Sequence, residues 1–222
     1  MNVLDHSVFR RFWYPVMPLS HLEDGPRRFV LLGQPLVLFL DDTGEPAALE
    51  DRCCHRSAQL SLGEVCGGNV ACPYHGWQYD RSGQCVVIPQ MPDRDPGPKR
   101  RVRAFSCDTR YGYAWVALEE PLYGIPAIPE ADESAFELIQ EFYEEWQVAG
   151  LRVMENELDM AHPSYVHLGT FGSPEHLEAQ DARIEEFEGG FHYTGRLGVS
   201  QAHHAQEDDN ERLLDCSWYM PF

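Results

Sequence analysis

The sequence predicts an α+β fold arranged as two domains along the chain. Short apolar runs alternate with turn sequences through the first 118 residues, which is the pattern of a small all-β domain. An acidic stretch with three prolines follows at 119–134. Beyond it, a segment of helix-forming composition at 151–161 precedes further strand-like runs, so the second domain is expected to combine a helix with strands.

The strands of the first domain are predicted from apolar runs that end in turn residues. Residues 12–18 are rich in aromatic side chains and are expected to pack an N-terminal segment onto the first sheet. Turns are expected at 41–44 and 80–83, and a proline-containing loop at 91–98. The strands that these turns and loops connect are predicted at 29–32, 36–40, 47–50, 85–88, 101–105 and 112–118.

The domain boundary is placed where the composition becomes acidic and rich in proline. We assign 1–122 to the first domain with its N-terminal segment, 123–135 to a linker, and 136–222 to the first part of the second domain. The elements predicted in the second domain are a strand at 136–148, the helix at 151–161, a hairpin formed by 184–187 and 191–197, and a strand at 213–220.

Composition and charge exclude several classes of partner. The 222 residues include 43% hydrophobic side chains, enough to bury a sizeable core, and carry a formal net charge of −19. Nucleic acid and anionic lipid both require a basic face, so neither is an expected partner. The longest mostly apolar run, 29–40, is interrupted by glycine and proline and is too short to span a bilayer.

The N-terminus and the cysteines indicate a compartment. The first residues lack the basic start, apolar core and cleavage site of a signal peptide. Seven cysteines are an odd number, which fits a reducing cytosol better than a disulfide scaffold, so a cytoplasmic protein is predicted. Cys85 and Cys107 lie in or beside predicted strands and are expected to be buried packing residues.

Two cysteine–histidine pairs form the most specific motif of the chain. One residue separates Cys53 from His55, two separate Cys72 from His75, and sixteen lie between the pairs. Each pair is expected on a tight loop between short strands, so that two thiolates and two imidazoles converge. In one interpretation the cysteines hold one iron of a [2Fe–2S] cluster and the histidines hold the other, with a reduction potential of roughly −150 to +300 mV. Gly76 suits backbone that passes close to such a cluster.

Three other interpretations of these four residues are open. Zinc also binds Cys and His, but its usual spacing is C-x2–4-C with H-x3–5-H rather than two mixed pairs. A disulfide framework is typical of short secreted domains, and this chain is neither short nor evidently secreted. Ordinary core residues are the third interpretation. Two mixed pairs followed by H-G-W favour the iron–sulfur cluster.

A second candidate metal site lies in the segment R-V-M-E-N-E-L-D-M-A-H-P-S-Y-V-H. Asn156, Asp159 and His162 recur every three residues and would form a stripe on one side of a helix. On an unbroken helix His167 would point about 140° away from His162. Pro163 disfavours helical conformation at His162 and starts a new turn, which can bring the imidazoles together. Two histidines and a carboxylate bind Fe(II) as a facial triad. The alternative interpretation is that His162 and His167 are ordinary core or surface residues.

The two Cys/His segments, C-C-H-R-S-A-Q-L-S-L-G and C-P-Y-H-G-W-Q-Y-D, resemble the Rieske domain of the Rieske non-haem iron oxygenases. Rieske proteins of respiratory complexes carry a further cysteine in each loop, joined as a disulfide. Ala58 and Tyr74 hold the corresponding places here, so that disulfide cannot form. The segment R-V-M-E-N-E-L-D-M-A-H resembles the monooxygenase branch, which includes vanillate and dicamba O-demethylases and saxitoxin-pathway hydroxylases.

The resemblance implies a fold and a set of ligands. The fold is a small all-β Rieske domain followed by an antiparallel-sheet, helix-packed catalytic domain. The implied ligands are the two Cys/His pairs for the [2Fe–2S] cluster, and His162 with His167 for a mononuclear Fe(II). Asp159 and Asn156 complete the implied site, with the Asp159 carboxylate beside His162 and also reaching His75 of an adjacent subunit in a homotrimer.

The implied reaction couples O2 to a small organic substrate, which is hydroxylated or oxidatively demethylated. Electrons come from NAD(P)H through a separate reductase or ferredoxin. In this family the carboxylate ligand of the iron is an Asp on a later helix, and no acidic residue after His167 has a helical context. The chain is therefore expected to be the N-terminal part of a longer oxygenase subunit, inactive by itself.

Two other classes are open on the sequence alone. A Rieske ferredoxin with an added domain would transfer electrons without a catalytic iron, and His162 and His167 would then be structural. Iron quantitation separates this class from an oxygenase, which binds more iron than its cluster contains. A zinc-stabilised binding module is the second alternative, and a visible absorption spectrum would decide it.

Overall fold

A computed structural model describes residues 6–139, 143–168, 170, 172, 177, 180–198 and 211–220. The chain divides into two compact units, residues 1–143 and residues 144–222. The strands in the sheets of both units pair antiparallel. The predicted fold class is confirmed, with an all-β first unit and a second unit in which two helices accompany a sheet.

The described part of the first unit contains ten strands in two sheets. In chain order they are β1 (Tyr14–Pro18), β2 (Arg27–Leu31), β3 (Gln34–Leu40), β4 (Pro46–Glu50), β5 (Glu64–Cys66), β6 (Asn69–Ala71), β7 (Gln78–Tyr79), β8 (Cys85–Val87), β9 (Ala104–Arg110) and β10 (Tyr113–Ala117). The larger sheet has the order β1-β10-β9-β4-β3-β2, and the smaller has the order β5-β6-β7-β8. One Cys/His loop follows β4, and the other joins β6 to β7.

Strand β3 is buried on both faces. Leu36 and Leu38 point into one apolar cluster, which also contains residues of β1. Val37 and Phe39 point into a second cluster, which contains both cysteines of the Cys/His loops. A strand covered on both faces has a nearly continuous apolar sequence instead of an alternating one, as 35–40 has within β3. The N-terminal segment packs on this sheet as predicted, with β1 paired to β10 at its edge.

Two hairpins turn through the same motif, D-x-[S/T]-G-[E/Q], at the positions that the sequence predicted. Asp41 accepts hydrogen bonds from the N–H and hydroxyl of Thr43 and from the N–H of Glu45, at 2.6–3.1 Å. Asp80 accepts the equivalent three bonds in its own turn. Arg81 donates to the Asp41 carboxylate at 2.8 Å, which ties the two turns together.

Replacement of Asp41 by Ala is expected to lower the free energy of unfolding by about 1–2 kcal/mol, because several donors lose their acceptor. Burial alone would raise the pKa of Asp41, but hydrogen bonds from Thr43 and Glu45 and the charge of Arg81 outweigh it and lower the pKa. The stabilisation is therefore present above the unfolded-state pKa of about 4 and is lost as the pH falls through the folded-state value.

Urea unfolding of the wild type and of Asp41→Ala, at pH 7 and at about pH 3, measures both effects. The exposed neighbour Asp42 supplies the matched control, Asp42→Ala. An equal loss of stability in the two variants would contradict a special role for Asp41.

The described part of the second unit packs two helices beside a three-stranded sheet. Met160, which follows the first helix, has its sulfur over Gly195, so a side chain on residue 195 would displace the end of the methionine. The sheet has the order β11-β12-β13. The elements are α1 (Gly150–Leu158), α2 (Pro163–Val166), β11 (Gln180–Phe187), β12 (Gly190–Gly198) and β13 (Glu211–Tyr219), which confirms the predicted hairpin and last strand.

Three predicted elements differ from the structure. The strand predicted at 101–105 is instead found at Ala104–Arg110, because Val102 donates its N–H to Gly83 in the neighbouring turn. The strand predicted at 136–148 is absent from 136–139 and 143–148, the described residues of that range, since alternation alone supplies no partner strand. The helix predicted at 151–161 ends at Leu158.

The remaining predictions for the chain have mixed outcomes. Cys85 is buried in one apolar cluster and Cys107 is partly buried against the other, as predicted for packing residues. The ranges 1–122, 123–135 and 136–222 stay predictions for the domains, and the boundary between the two compact units falls after residue 143. Among the described residues, no helix has the length and apolar character needed to cross a membrane.

Candidate metal centres

The two Cys/His loops have the same main-chain hydrogen bonds. The N–H of Cys53 donates to the carbonyl of Ala58 at 2.8 Å, and its own carbonyl accepts from the N–H of Ser57 at 2.9 Å. In the second loop the N–H of Cys72 likewise donates to the fifth residue ahead at 2.8 Å, and its carbonyl accepts from Gly76 at 2.9 Å. Each cysteine therefore opens a loop with the same pattern of main-chain hydrogen bonds.

The fourth residue after each cysteine has left-handed backbone. Ser57 has φ 61° and Gly76 has φ 71°. A side chain on residue 76 would also press on Pro89, so glycine is favoured in the second loop. In the first loop the strained Ser57 is held through its hydroxyl, which accepts a hydrogen bond from Arg52 at 2.9 Å.

The two thiols lie in contact beneath the surface. Cys53 and Cys72 are 2% and 3% exposed, and neither is in a disulfide. Burial raises the pKa of the Cys72 thiol, and the Cys53 thiol beside it raises it further. The N–H groups of Tyr74 and His75 point at the Cys72 sulfur and oppose this shift, which is the hydrogen bonding that stabilises a thiolate ligand.

The two imidazoles lie in contact closer to solvent. The ring centroids of His55 and His75 are 4.7 Å apart. Trp77 stacks on His55 at 4.5 Å, and Tyr74 contacts His75 at 3.9 Å, so both rings are fixed by neighbours. Loss of solvent around the ring, with the charges of His75 and Arg56, lowers the pKa of His55 and favours the neutral form that binds metal.

These side chains fit a Rieske [2Fe–2S] cluster. Such a cluster takes two thiolates on one iron and two imidazoles on the other, and the loops bring together one pair of each kind. Within the described part of the chain, three His, Cys, Asp or Glu side chains nowhere converge on a single ion, and a Rieske cluster needs only two per iron. The ligand assignment stays a prediction that this arrangement supports.

A buried tyrosine adds a hydrogen bond to one of the thiols. The hydroxyl of Tyr79 lies 3.1 Å from the sulfur of Cys53 and 3.3 Å from that of Cys54. Burial, followed by the two sulfurs, raises the pKa of Tyr79 far above its usual value, so the phenol keeps its proton. Tyr79 can therefore donate a hydrogen bond to the sulfur of Cys53, a predicted cluster ligand.

Replacement of Tyr79 by Phe is expected to lower the reduction potential of the cluster by on the order of 50 mV, which corresponds to about 1 kcal/mol for a one-electron couple. Hydrogen bonds to ligand sulfur stabilise the more negative, reduced state. A potentiometric titration of the purified protein measures the shift. Tyr74→Phe, at the exposed tip of the second loop, is the control, and an unchanged potential in Tyr79→Phe would refute the expectation.

The second unit brings the two other histidines together. The ring centroids of His162 and His167 are 5.5 Å apart, on either side of α2. Pro163 occupies the first helical position, as predicted, but His162 before it has helical backbone, with φ −62° and ψ −33°, contrary to the prediction. The break itself occurs earlier than predicted, because Asp159 already has extended backbone after α1. Asn156, Asp159 and His162 therefore do not form a continuous helical stripe.

Asp159 supports His162 through its main chain. The Nδ1 atom of His162 lies 2.6 Å from the carbonyl oxygen of Asp159. The Asp159 carboxylate accepts a hydrogen bond from the N–H of Ala161 at 2.9 Å. A ring held through Nδ1–H to a carbonyl presents Nε2 to a metal, which is how histidine ligands are commonly oriented. The predicted support from Asp159 is thus found at its carbonyl.

A pocket of about 230 Å³ opens beside these histidines. Its polar side contains Asn156, Glu157 and Asp159 together with both rings, so all the residues predicted for the second site lie around it. Its apolar side is formed by leucines of β12 and β13 and by a methionine. The apolar lining residues are Met160, Leu197, Leu213 and Leu214. The pocket can therefore hold a small, largely apolar molecule next to the two imidazoles.

Comparisons with known proteins match one family model to each part of the chain. A family model described as the Rieske [2Fe-2S] domain matches residues 12–106, and one described as the vanillate O-demethylase oxygenase C-terminal domain matches residues 146–213. The solved structure of NdmA from Pseudomonas putida CBB5 superposes with a TM-score of 0.78 and 32% identity, covering 96% of this chain and 69% of that one. The chain belongs to the Rieske oxygenases.

Curated relatives place this Rieske oxygenase in the demethylase branch. Methylxanthine N1-demethylase NdmA of Pseudomonas putida is 35% identical over 98% of this chain and 64% of its own length. Methylxanthine N3-demethylase NdmB of the same organism is 37% identical over 77% of this chain and 51% of its own length. The chain thus spans roughly half to two thirds of these relatives. A dicamba monooxygenase structure matches with a TM-score of 0.75 and 25% identity, over 95% of this chain and 63% of that one.

Two side chains close to the predicted ligand Cys53, Tyr79 and Cys54, were not predicted from the sequence. Tyr79 was interpreted only as a strand residue. Its contact with Cys53, 26 positions away, depends on how β6 pairs with β7, which no local pattern shows. The signal available for Cys54 was its position next to a predicted ligand.

Proposed function

We propose that this Rieske oxygenase is the terminal oxygenase component of a system that hydroxylates or oxidatively demethylates a small organic substrate with O2. The observation that carries this proposal is the pocket in the second unit, where His162 and His167 stand in contact beside an apolar wall. A Rieske ferredoxin, the alternative, has no use for such a pocket. The demethylases among the relatives favour removal of a methyl group from nitrogen or oxygen.

The residues that would hold the metals are the cysteine and histidine side chains that the fold brings into contact. The two Cys/His pairs would bind the [2Fe–2S] cluster, and His162 with His167 would bind Fe(II). When bound, the cluster carries single electrons and the Fe(II) reacts with O2. The carbonyl of Asp159 fixes the ring of His162, and the leucines of the pocket contact the substrate and exclude water.

The assembly and the electron supply belong to the same proposal. A reductase or ferredoxin fed by NAD(P)H is the proposed electron donor, and a homotrimer is the proposed assembly. In that assembly the Asp159 carboxylate would contact His75 of a neighbouring subunit, with Asn156 beside it. The family resemblance supports these assignments. The cytoplasmic location also stays a prediction.

The proposed function is tested by comparing iron with acid-labile sulfide in the full-length protein. A Rieske ferredoxin contains the two in equal amounts, because each [2Fe–2S] cluster has as many sulfides as irons. The oxygenase is expected to contain iron in excess of sulfide, and removal of that excess by a chelator should leave the cluster absorbance unchanged. Equal amounts after reconstitution with Fe(II) would assign the protein to the ferredoxin class.

A further inference from the structure

The hydroxyl of Tyr79 lies between two sulfurs that have different roles. At 3.1 Å is Cys53, a predicted cluster ligand, and at 3.3 Å is Cys54, which belongs to neither Cys/His pair. Tyr79 is fully buried, whereas Cys54 is exposed at the protein surface. The phenol therefore connects a surface cysteine to the sulfur of a ligand.

The directions of the two hydrogen bonds follow from proton counting. A cysteine bound to iron has lost its proton, so Cys53 can only accept. A phenol has a single hydrogen, which Tyr79 therefore donates to Cys53. In the hydrogen bond with Cys54 the thiol S–H is then the donor and the phenol oxygen is the acceptor, because that oxygen still has lone pairs available. The result is a chain of two donors that ends on the ligand sulfur.

We propose that Cys54 is a positioning residue that raises the reduction potential of the cluster through Tyr79. Donation from Cys54 polarises the phenol and strengthens its bond to Cys53 by roughly 10–30%. A stronger bond to ligand sulfur stabilises the reduced state. The proposal rests on the cluster assignment made above.

Two other cysteines of the first unit are suitable for comparison. Cys85 is buried, and its thiol contacts the carbonyl of Val87 at 3.6 Å, so its hydrogen is directed away from the phenol. Cys66, on β5, is half-buried, and its thiol interacts with the carboxylate of Glu64. Cys66→Ala thus removes a thiol of the same unit without altering the chain of donors.

The test is a potentiometric titration of the purified protein with its cluster. Cys54→Ala removes the 10–30% strengthening of a bond assigned roughly 50 mV, so it is expected to reduce the equilibrium constant for cluster reduction about 1.2- to 1.8-fold, which is about 5–15 mV at 59 mV per tenfold change. Cys54→Ser keeps a donor and is expected to restore most of the potential. In a Tyr79→Phe background Cys54→Ala is expected to have no further effect, and Cys66→Ala none in the wild type. If Cys54→Ala assembles poorly, Cys54→Val fills the volume and supplies the same comparison.

The outcomes separate this proposal from the proposed function. An unchanged potential in Cys54→Ala, or a shift that adds in full to that of Tyr79→Phe, would overturn the role of Cys54 and leave the oxygenase assignment intact. A cluster that persists in Cys72→Ser would instead overturn the ligand assignment on which both depend.

Discussion

Replacement of His162 by Ala in the full-length protein is expected to reduce product formation by more than about 100-fold while the Rieske absorbance stays nearly intact. Loss of a group that only supports a metal ligand costs about 10–100-fold, and loss of the ligand itself costs more. His167→Ala is expected to act in the same way, since the two rings lie 5.5 Å apart beside one pocket. The cluster ligands stand in the other compact unit and are not altered.

Three measurements on each variant check this expectation. Formaldehyde release from a panel of N- and O-methylated aromatic compounds reports demethylation, the iron-to-sulfide ratio reports the mononuclear iron, and the visible spectrum reports the cluster. His192→Ala supplies a matched control, because His192 contacts Ser217 on the sheet at 3.1 Å and is not part of the pocket wall. Turnover at the wild-type rate in His162→Ala would overturn the assignment of His162 as an iron ligand, whereas no turnover and no excess iron in the wild type would move the protein to the electron-transfer class.

Replacement of Cys72 by Ser is expected to remove the cluster and to bleach the protein. The sulfur of Cys72 is buried, contacts the thiol of Cys53 and accepts hydrogen bonds from the N–H groups of Tyr74 and His75. A serine hydroxyl there is a far weaker ligand for the soft iron–sulfur unit.

Visible absorbance and acid-labile sulfide measure that loss. Cys107→Ser is the control, because Cys107 packs against the apolar cluster on the other face of β3. Burial raises the pKa of the Cys107 thiol to about 12, so it is a protonated packing group. Full absorbance and iron content in Cys72→Ser would show that the ligand was assigned wrongly.

Local patterns were sufficient for the Rieske loops and their flanking hairpins. The Cys/His spacing and the D-x-[S/T]-G turns each specify a backbone within a few residues, and the structure places them as predicted. The support of His162 was harder to predict, because it depends on where α1 ends. Once Asp159 leaves the helix, its carbonyl and not its carboxylate faces the ring.

Features that depend on tertiary pairing were beyond the sequence. The alternating stretch at 136–148 looks like a strand, but its described residues, 136–139 and 143–148, are not part of one, because a strand forms only where another strand is available to pair with it. The pocket wall likewise combines β12 and β13 with the segment around α1, and only the sheet register shows which leucines reach it.

The common backbone of the two Cys/His loops sets a rule for their redesign. Histidine stands two residues after cysteine in one loop and three residues after it in the other. In both loops the backbone reverses direction at the fourth residue after the cysteine, which has positive φ. The place of the imidazole is thus adjustable, whereas the reversal is not. We expect that a metal-binding side chain can be introduced at the second or third residue after the cysteine in either loop. An insertion before the fourth residue is expected to separate the cysteine of that loop from the cysteine of the other.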